Sequence, residues 1–244
     1  MLKAIARAAR DAGDTVVETR AFQGESDLLV LFGVGAAVHD QARRKQLKRG
    51  GHALMFDLGY FGRAKYTGYL RASIDWDHPQ HLLDRTPPDP SRWDQFGIAL
   101  REDANPRGYI LLVGLGPKSR KYLHAADWEE RTLSTLRVRF PDRQVLHRPK
   151  PNHDFPKLHC ERDLDTPIEA LLRGCSLVVC RHSNVAVDAA IAGVPFETVD
   201  GAAAWLASRP YTPENRLDFL RRLAWWQWQA TQAAEAWSFL KGFV

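Results

Sequence analysis

The sequence predicts an α/β protein made of two doubly wound halves and a helical tail. Short apolar runs, such as Asp27–Gly33 and Tyr109–Val113, alternate with stretches of helical spacing; strands alternating with helices build parallel sheets. These runs are continuously apolar, as in strands buried on both faces. At Ser176–Pro195 an apolar strand enters a polar turn and then a small-residue helix that stops at Gly193 and Pro195. That is the strand–turn–helix unit of an open α/β sheet.

The elements follow in order. Ile5, Ala8, Ala9 and Ala12 have helical spacing over residues 3–13, closed by Gly13. Thr15–Thr19 reads as a short strand, and Asp27–Gly33 as a buried one. Gly33-Val34-Gly35 holds part of a dinucleotide fingerprint, without its third glycine or acidic partner, and reads as a turn. A basic helix runs to Lys48, closed by Gly50-Gly51, and Ala53–Asp57 is the next strand. Residues 60–105 read as irregular, rich in Tyr, Trp, Arg and Pro, and so long a loop inside a domain is usually functional.

The second half opens with the strand Tyr109–Val113 and the polar loop Leu115–Arg120. A helix over Asp127–Phe140, the strand Gln144–Arg148, the loop Pro149–Asn152 and a helix over Pro167–Arg173 come next. Ser176–Cys180 is a strand, followed by the small-residue helix and the strand Pro195–Val199. One or two helices fill 213–241, with Leu220, Leu223, Ala224, Trp228 and Trp237 expected inside. The expected domains are 1–105, 106–212 and 213–244.

Composition narrows the class. The 244 residues are 45% apolar and 26% charged, the proportions of a globular protein. No apolar run reaches the roughly 18 residues of a membrane span, and the N-terminus reads as an amphipathic helix rather than a targeting peptide. Three cysteines without CxxC spacing exclude a disulfide framework and a zinc motif, and point to a reducing cytoplasm. Nine histidines without HxH or HExxH spacing leave no metal expected. A net charge of +5 suits a soluble basic enzyme and a polyanionic partner equally.

The junction after Cys180 is the candidate binding site. A helix start directs unbonded N–H groups and a positive dipole end at one point, which suits a phosphate. His182, Ser183 and Asn184 stand there, and Arg181, Lys118 and Arg120 can add charge-assisted bonds. Ser183 and Asn184 suit a helix N-cap equally well. Asp57 ends a buried strand, where ligands of open sheets bind, and is the candidate base; Asp75, Asp77 and His78 are alternatives. Tyr60, Arg63, Lys65, Tyr66, Tyr69, Arg71 and Trp76 mix cations with aromatics, which fits stacking on nucleic-acid bases or on sugar rings.

Asp188-Ala189-Ala190-Ile191-Ala192-Gly193-Val194-Pro195 resembles the acidic-Ala-x-x-x-Gly-x-Pro signature of GT-B glycosyltransferases. Val113–Arg120 is similar to the first donor-side loop of their C-terminal domain. Phe56–Tyr60 with Tyr69–Ser73, and the tail Leu223–Trp228 with Glu235-Ala236-Trp237, resemble glycosyltransferase-like proteins of bacteriophages and, more distantly, capsule-polysaccharide transferases. The resemblance implies a GT-B-like fold: two Rossmann-like parallel-sheet domains, with C-terminal helices crossing back to the first. The chain departs from the pattern by opening on a helix instead of a strand.

The resemblance also implies a metal-independent transferase with no cofactor beyond a nucleotide-sugar co-substrate, expected UDP-linked. Gly116, Lys118, Ser119, Arg120, Arg181, His182, Ser183 and Asn184 would hold the diphosphate. Asp188 would hold the ribose, and Arg148 and Lys150 would stand near the base. Asp57 would deprotonate the acceptor, bound by Tyr60, Arg63, Lys65, Tyr69, Arg71 and Trp76. The favoured acceptor is 5-hydroxymethylpyrimidine in phage DNA, in the host cytoplasm. A capsule or surface glycan and a noncatalytic nucleotide- or DNA-binding role are the alternatives. A monomer or weak homo-oligomer is expected.

Overall fold

The computed structural model describes residues 1–24, 26–33, 37–61, 68–151 and 155–244. The chain divides into two compact units: residues 1–96 with 221–244, and residues 97–220. The expected boundaries lay at 105/106 and 212/213.

The first unit opens with helix α1 (Leu2–Asp11), which buries Ile5, Ala6, Ala8 and Ala9 and ends ahead of Gly13 at φ 87°. Residues 14–19 form no strand. Val17 is 80% exposed, so this stretch has no buried face to hold against a sheet. Strand β1 (Leu28–Phe32), helix α2 (Ala37–Lys48) and strand β2 (His52–Leu58) form a βαβ unit with β1 and β2 parallel. Strand β3 (Leu70–Ile74) then pairs antiparallel with β2, and helix α3 (Pro90–Asp94) follows.

In the second unit, β4 (Tyr109–Val113) leads into α4 (Pro117–Tyr122), α5 (Trp128–Arg139) and β5 (Val145–Arg148). Then come β6 (Glu161–Arg162), α6 (Ile168–Arg173), β7 (Cys175–Val179), α7 (Val185–Ala192), β8 (Phe196–Glu197) and α8 (Ala204–Ala207). The tail is α9 (Pro213–Ala224), β9 (Gln227–Trp228) and α10 (Ala233–Lys241), and the division between the units falls within α9.

The fold is mixed α/β with parallel strands in both sheets. The second sheet, ordered β6-β5-β4-β7-β8, is parallel throughout. Ile110, Leu112, Leu133, Leu136, Val145 and Val179 form its core beneath α5. Leu115–Arg120, expected as a loop, is helical from Pro117, because Pro at the first helical position is pre-set for a helix.

The first sheet corrects the expectation of a parallel Rossmann-like sheet. Its order is β1-β2-β3-β9, with β3 antiparallel to both neighbours. A parallel return needs a crossover of about a dozen or more residues, usually a helix, and only residues 59–69 join β2 to β3. The edge strand comes from the tail, where Leu70 faces Trp228 and Arg71 faces Gln227. Gln227 is fully buried: its Oε1 accepts the backbone N–H groups of Tyr60 and Phe61, and its amide donates to the Phe61 carbonyl at 3.0 Å. Residues 60–105, read as irregular, therefore contain β3 and α3.

Candidate functional site

The second sheet reads third–second–first–fourth–fifth in chain order, so the winding direction reverses between β4 and β7. Open α/β sheets bind ligands at the carboxyl ends of the strands beside such a reversal. The chain leaving β4, Gly114–Gly116, and the chain leaving β7, Cys180–Asn184, both lie at that edge.

After β7, His182 adopts a left-handed conformation at φ 56°. Such a conformation in a residue other than glycine is strained and concentrates at functional sites. Gly201 makes room for it: a Cβ on Gly201 would lie 3.3 Å from the His182 Cα. Ser183 Oγ accepts from the Val185 N–H at 3.2 Å, while no side-chain capping bond comes from Asn184. Of the two candidate caps, Ser183 thus makes the local bond. Arg181 is held by Asp200, Nε to Oδ2 at 2.8 Å. Asp188 stands half-buried in the first turn of α7, whose other residues are almost all buried.

The far end of α7 is clamped. Gly193 takes φ 75°, and a Cβ there would lie 2.3 Å from the Arg101 carbonyl oxygen. Buried Arg216 donates to the carbonyls of Ala190 at 2.8 Å and Arg101 at 2.7 Å, and pairs with Glu102. A cation at the C-terminal end of a helix satisfies its last carbonyls and its dipole.

After β4, Gly116 precedes α4, and Lys150 folds over it: a Cβ on Gly116 would meet Lys150 Cδ at 2.8 Å and Nζ at 3.3 Å. Lys118 and Lys150 are exposed at this loop, and Ser119 is half-buried. Like Arg181, two further expected phosphate or base contacts are engaged by carboxylates. Arg120 turns to the buried Glu129, and Arg148 pairs with Asp163 at 2.9 Å, which also accepts from Thr166. Lys118, Lys150, Gly116 and Ser119 therefore gather at one loop, and Arg181–Asn184 with Asp188 at the other.

In the first unit, Asp57 Oδ2 accepts from Arg71 NH2 at 3.2 Å across the β2–β3 pair, and Oδ1 accepts from the Leu58 N–H at 2.7 Å. Its side chain is 40% exposed. Gly59 admits the protein's own backbone rather than a ligand, since a Cβ there would lie 2.5 Å from the Tyr69 carbonyl oxygen.

Tyr60, expected on the acceptor surface, is buried. Its hydroxyl meets His78 Nδ1 at 2.8 Å and its ring lies 5.8 Å from the Arg71 guanidinium. Burial raises its phenol above the usual tyrosine range. Tyr69 is half-buried against Phe96, with ring centroids 4.6 Å apart. Trp76 is 59% exposed, but it follows Asp75, which binds Ala53 N–H and His52 at the start of β2. Asp57 lies four residues further, about 13 Å along the strand. Arg63, Lys65 and Tyr66 lie outside the described residues, as do Val34, Gly35 and Asn152.

Glu129, His147, Asp200 and Arg216 hold places around these loops that nothing in the sequence marks. Glu129 resembles any acidic residue of a first helical turn, and Arg216 any exposed helix arginine. Among the described residues no group of three or more His, Cys, Asp or Glu is placed to hold a metal ion. No described helix is long and apolar enough to cross a membrane.

No protein-family model matches the chain, and no curated protein sequence matches it. Solved structures do. The structure of Thermosulfurimonas dismutans KpsC, beta Kdo 2,4 transferase, is similar at a TM-score of 0.56 and 14% identity, over 93% of this chain and 88% of that one. A second, T. dismutans KpsC, beta Kdo 2,7 transferase, has a TM-score of 0.49 and 14% identity over 88% and 85% of the two chains. At this identity the first establishes a shared fold. Nothing in these comparisons shows the likeness to phage DNA-modifying proteins.

Proposed function

We propose that the chain is a GT-B-type glycosyltransferase that moves a sugar from a nucleotide-sugar donor to a hydroxyl of a capsule or surface glycan. The observation that carries this is the reversal between β4 and β7, which brings the Lys118 loop and the His182–Asn184 turn to one edge of a parallel sheet. The fold shared with a beta Kdo transferase supports it. In this reading Lys118, Lys150 and the start of α7 neutralise the leaving phosphate without a metal, and Asp188 accepts from ribose hydroxyls. The acceptor oxygen bonds to the anomeric carbon as the bond from that carbon to the phosphate oxygen breaks. The nucleotide leaves with the electron pair, and the hydroxyl proton passes to a base. Asp57, beside Arg71, is the proposed base.

A glycan acceptor is favoured over DNA by the fold shared with a beta Kdo transferase, and three residues expected on the acceptor surface are engaged within the protein. Tyr60 is buried, Tyr69 packs on Phe96, and Arg71 is engaged with Asp57.

The test is mass spectrometry of capsule-type oligosaccharides and of hydroxymethylated DNA incubated with a panel of nucleotide sugars. A sugar-sized gain on the oligosaccharide alone is expected. A gain on DNA alone overturns the acceptor, and neither transfer nor nucleotide binding from any donor overturns the transferase. Asp57→Asn should lose at least 100-fold in turnover while binding nucleotide as before. Unchanged turnover removes Asp57 from the mechanism.

A further inference from the structure

Beneath the loop after β4 lies a buried polar cluster that the proposed chemistry does not use. Glu129, in the first turn of α5, is fully buried. Its Oε1 accepts from the Leu115 N–H at 2.9 Å and from Arg120 Nε at 3.2 Å and NH2 at 2.5 Å. His147, 1% exposed, rises from β5 beside it. The point a Cβ on Gly114 would occupy is 3.0 Å from His147 Nε2, 3.2 Å from the Pro149 Cα and 3.4 Å from Glu129 Oε1. Gly114 therefore leaves room for an imidazole and a carboxylate beneath the loop, and Arg120 closes the cluster from α4.

A buried carboxylate is tolerated only with its partners in place, and removing one leaves an uncompensated charge. The shape of the loop and the Arg120–Glu129 pair are thus coupled, because the carboxylate that holds Arg120 also holds the Leu115 amide. Burial keeps His147 neutral at ordinary pH, its pKa pushed down to about 4. The charges of Glu129 and Arg120 then cancel, and the exposed Lys118 and Lys150 at the same loop are left to face an anion.

We propose that Arg120 and Glu129 are a positioning pair that fixes the Gly114–Gly116 loop in its nucleotide-binding shape, and that Arg120 does not itself touch the donor phosphates. The proposal rests on the transferase reading of this site.

The test uses the full chain with UDP and CMP as probes, measured by calorimetry, on Arg120→Gln, Glu129→Gln and the double variant. Each single change should weaken binding of the nucleotide that wild type prefers by about 10-fold, and the double variant should be no worse than the weaker single, as for residues acting as a unit. Amide exchange at Leu115, measured without nucleotide, should accelerate in all three. Loss of binding in Arg120→Gln with normal binding and normal Leu115 protection in Glu129→Gln overturns the proposal in favour of a direct phosphate contact. Should Glu129→Gln not fold, Arg120→Lys decides. It keeps the charge but not the fork, so weakened binding with fast Leu115 exchange supports positioning, and wild-type binding overturns it. A wild type that binds neither these probes nor any other nucleotide of the donor panel overturns the transferase reading and this proposal together. A wild type that binds, with variants binding equally well, overturns this proposal alone.

Discussion

At the scale of single residues, His147 makes the sharpest prediction. Its folded pKa of about 4 lies below the ordinary histidine value because burial disfavours the charged ring. Between those two values the unfolded chain binds a proton that the folded chain refuses, so stability falls as pH drops from about 6.5 to 4. A shift of this size corresponds to roughly 3 kcal/mol. Urea unfolding from pH 7.5 down to 4 should show that loss in wild type and a flatter acid limb in His147→Leu. Parallel limbs would contradict it. Asp57 teaches a different lesson. The sequence showed a carboxylate ending an apolar strand, but not that Arg71 sits opposite it, because nothing in the two segments announces their antiparallel pairing or its register.

At the scale of elements, α7 ties signature to structure. The Gly-x-Pro that ends it was legible because Gly193 must adopt φ 75° with the Arg101 carbonyl pressed against it. Gly193→Ala should therefore destabilise by more than the ~1 kcal/mol of an ordinary glycine change. Arg216→Met should cost about 3 kcal/mol in urea unfolding, because it leaves buried carbonyls without their charged donor. A loss under 0.5 kcal/mol in either would remove the clamp. Strands β4 and β7 were readable as largely apolar runs, whereas β6 is the exposed pair Glu161-Arg162 and carries no such signal. Strands β3 and β9 were not, since Leu70–Ile74 is interrupted by Arg71 and Ser73 and its partner Gln227–Trp228 lies over 150 residues away. The turn at His182 was legible as a strand-to-helix junction, and so as a candidate site, by its place after an apolar strand. The cluster under Gly114 was not, because nothing local marks Glu129 as buried.

At the scale of the whole chain, the parallel sheet of residues 97–220 carries the functional reading, while the mixed sheet of the other unit takes its edge strand from the tail. The net charge of +5 does not choose between acceptors, but salt does. Glycan acceptor binding should change little between 50 and 200 mM salt, whereas a DNA acceptor neutralising several phosphates would weaken by orders of magnitude. The decisive measurement is backbone amide exchange of the full chain, with and without each nucleotide of the donor panel at saturation. Adding a nucleotide should protect two stretches, 113–118 and 181–187. Protection confined to residues 1–96, or none with any nucleotide of the panel, would contradict the proposed site.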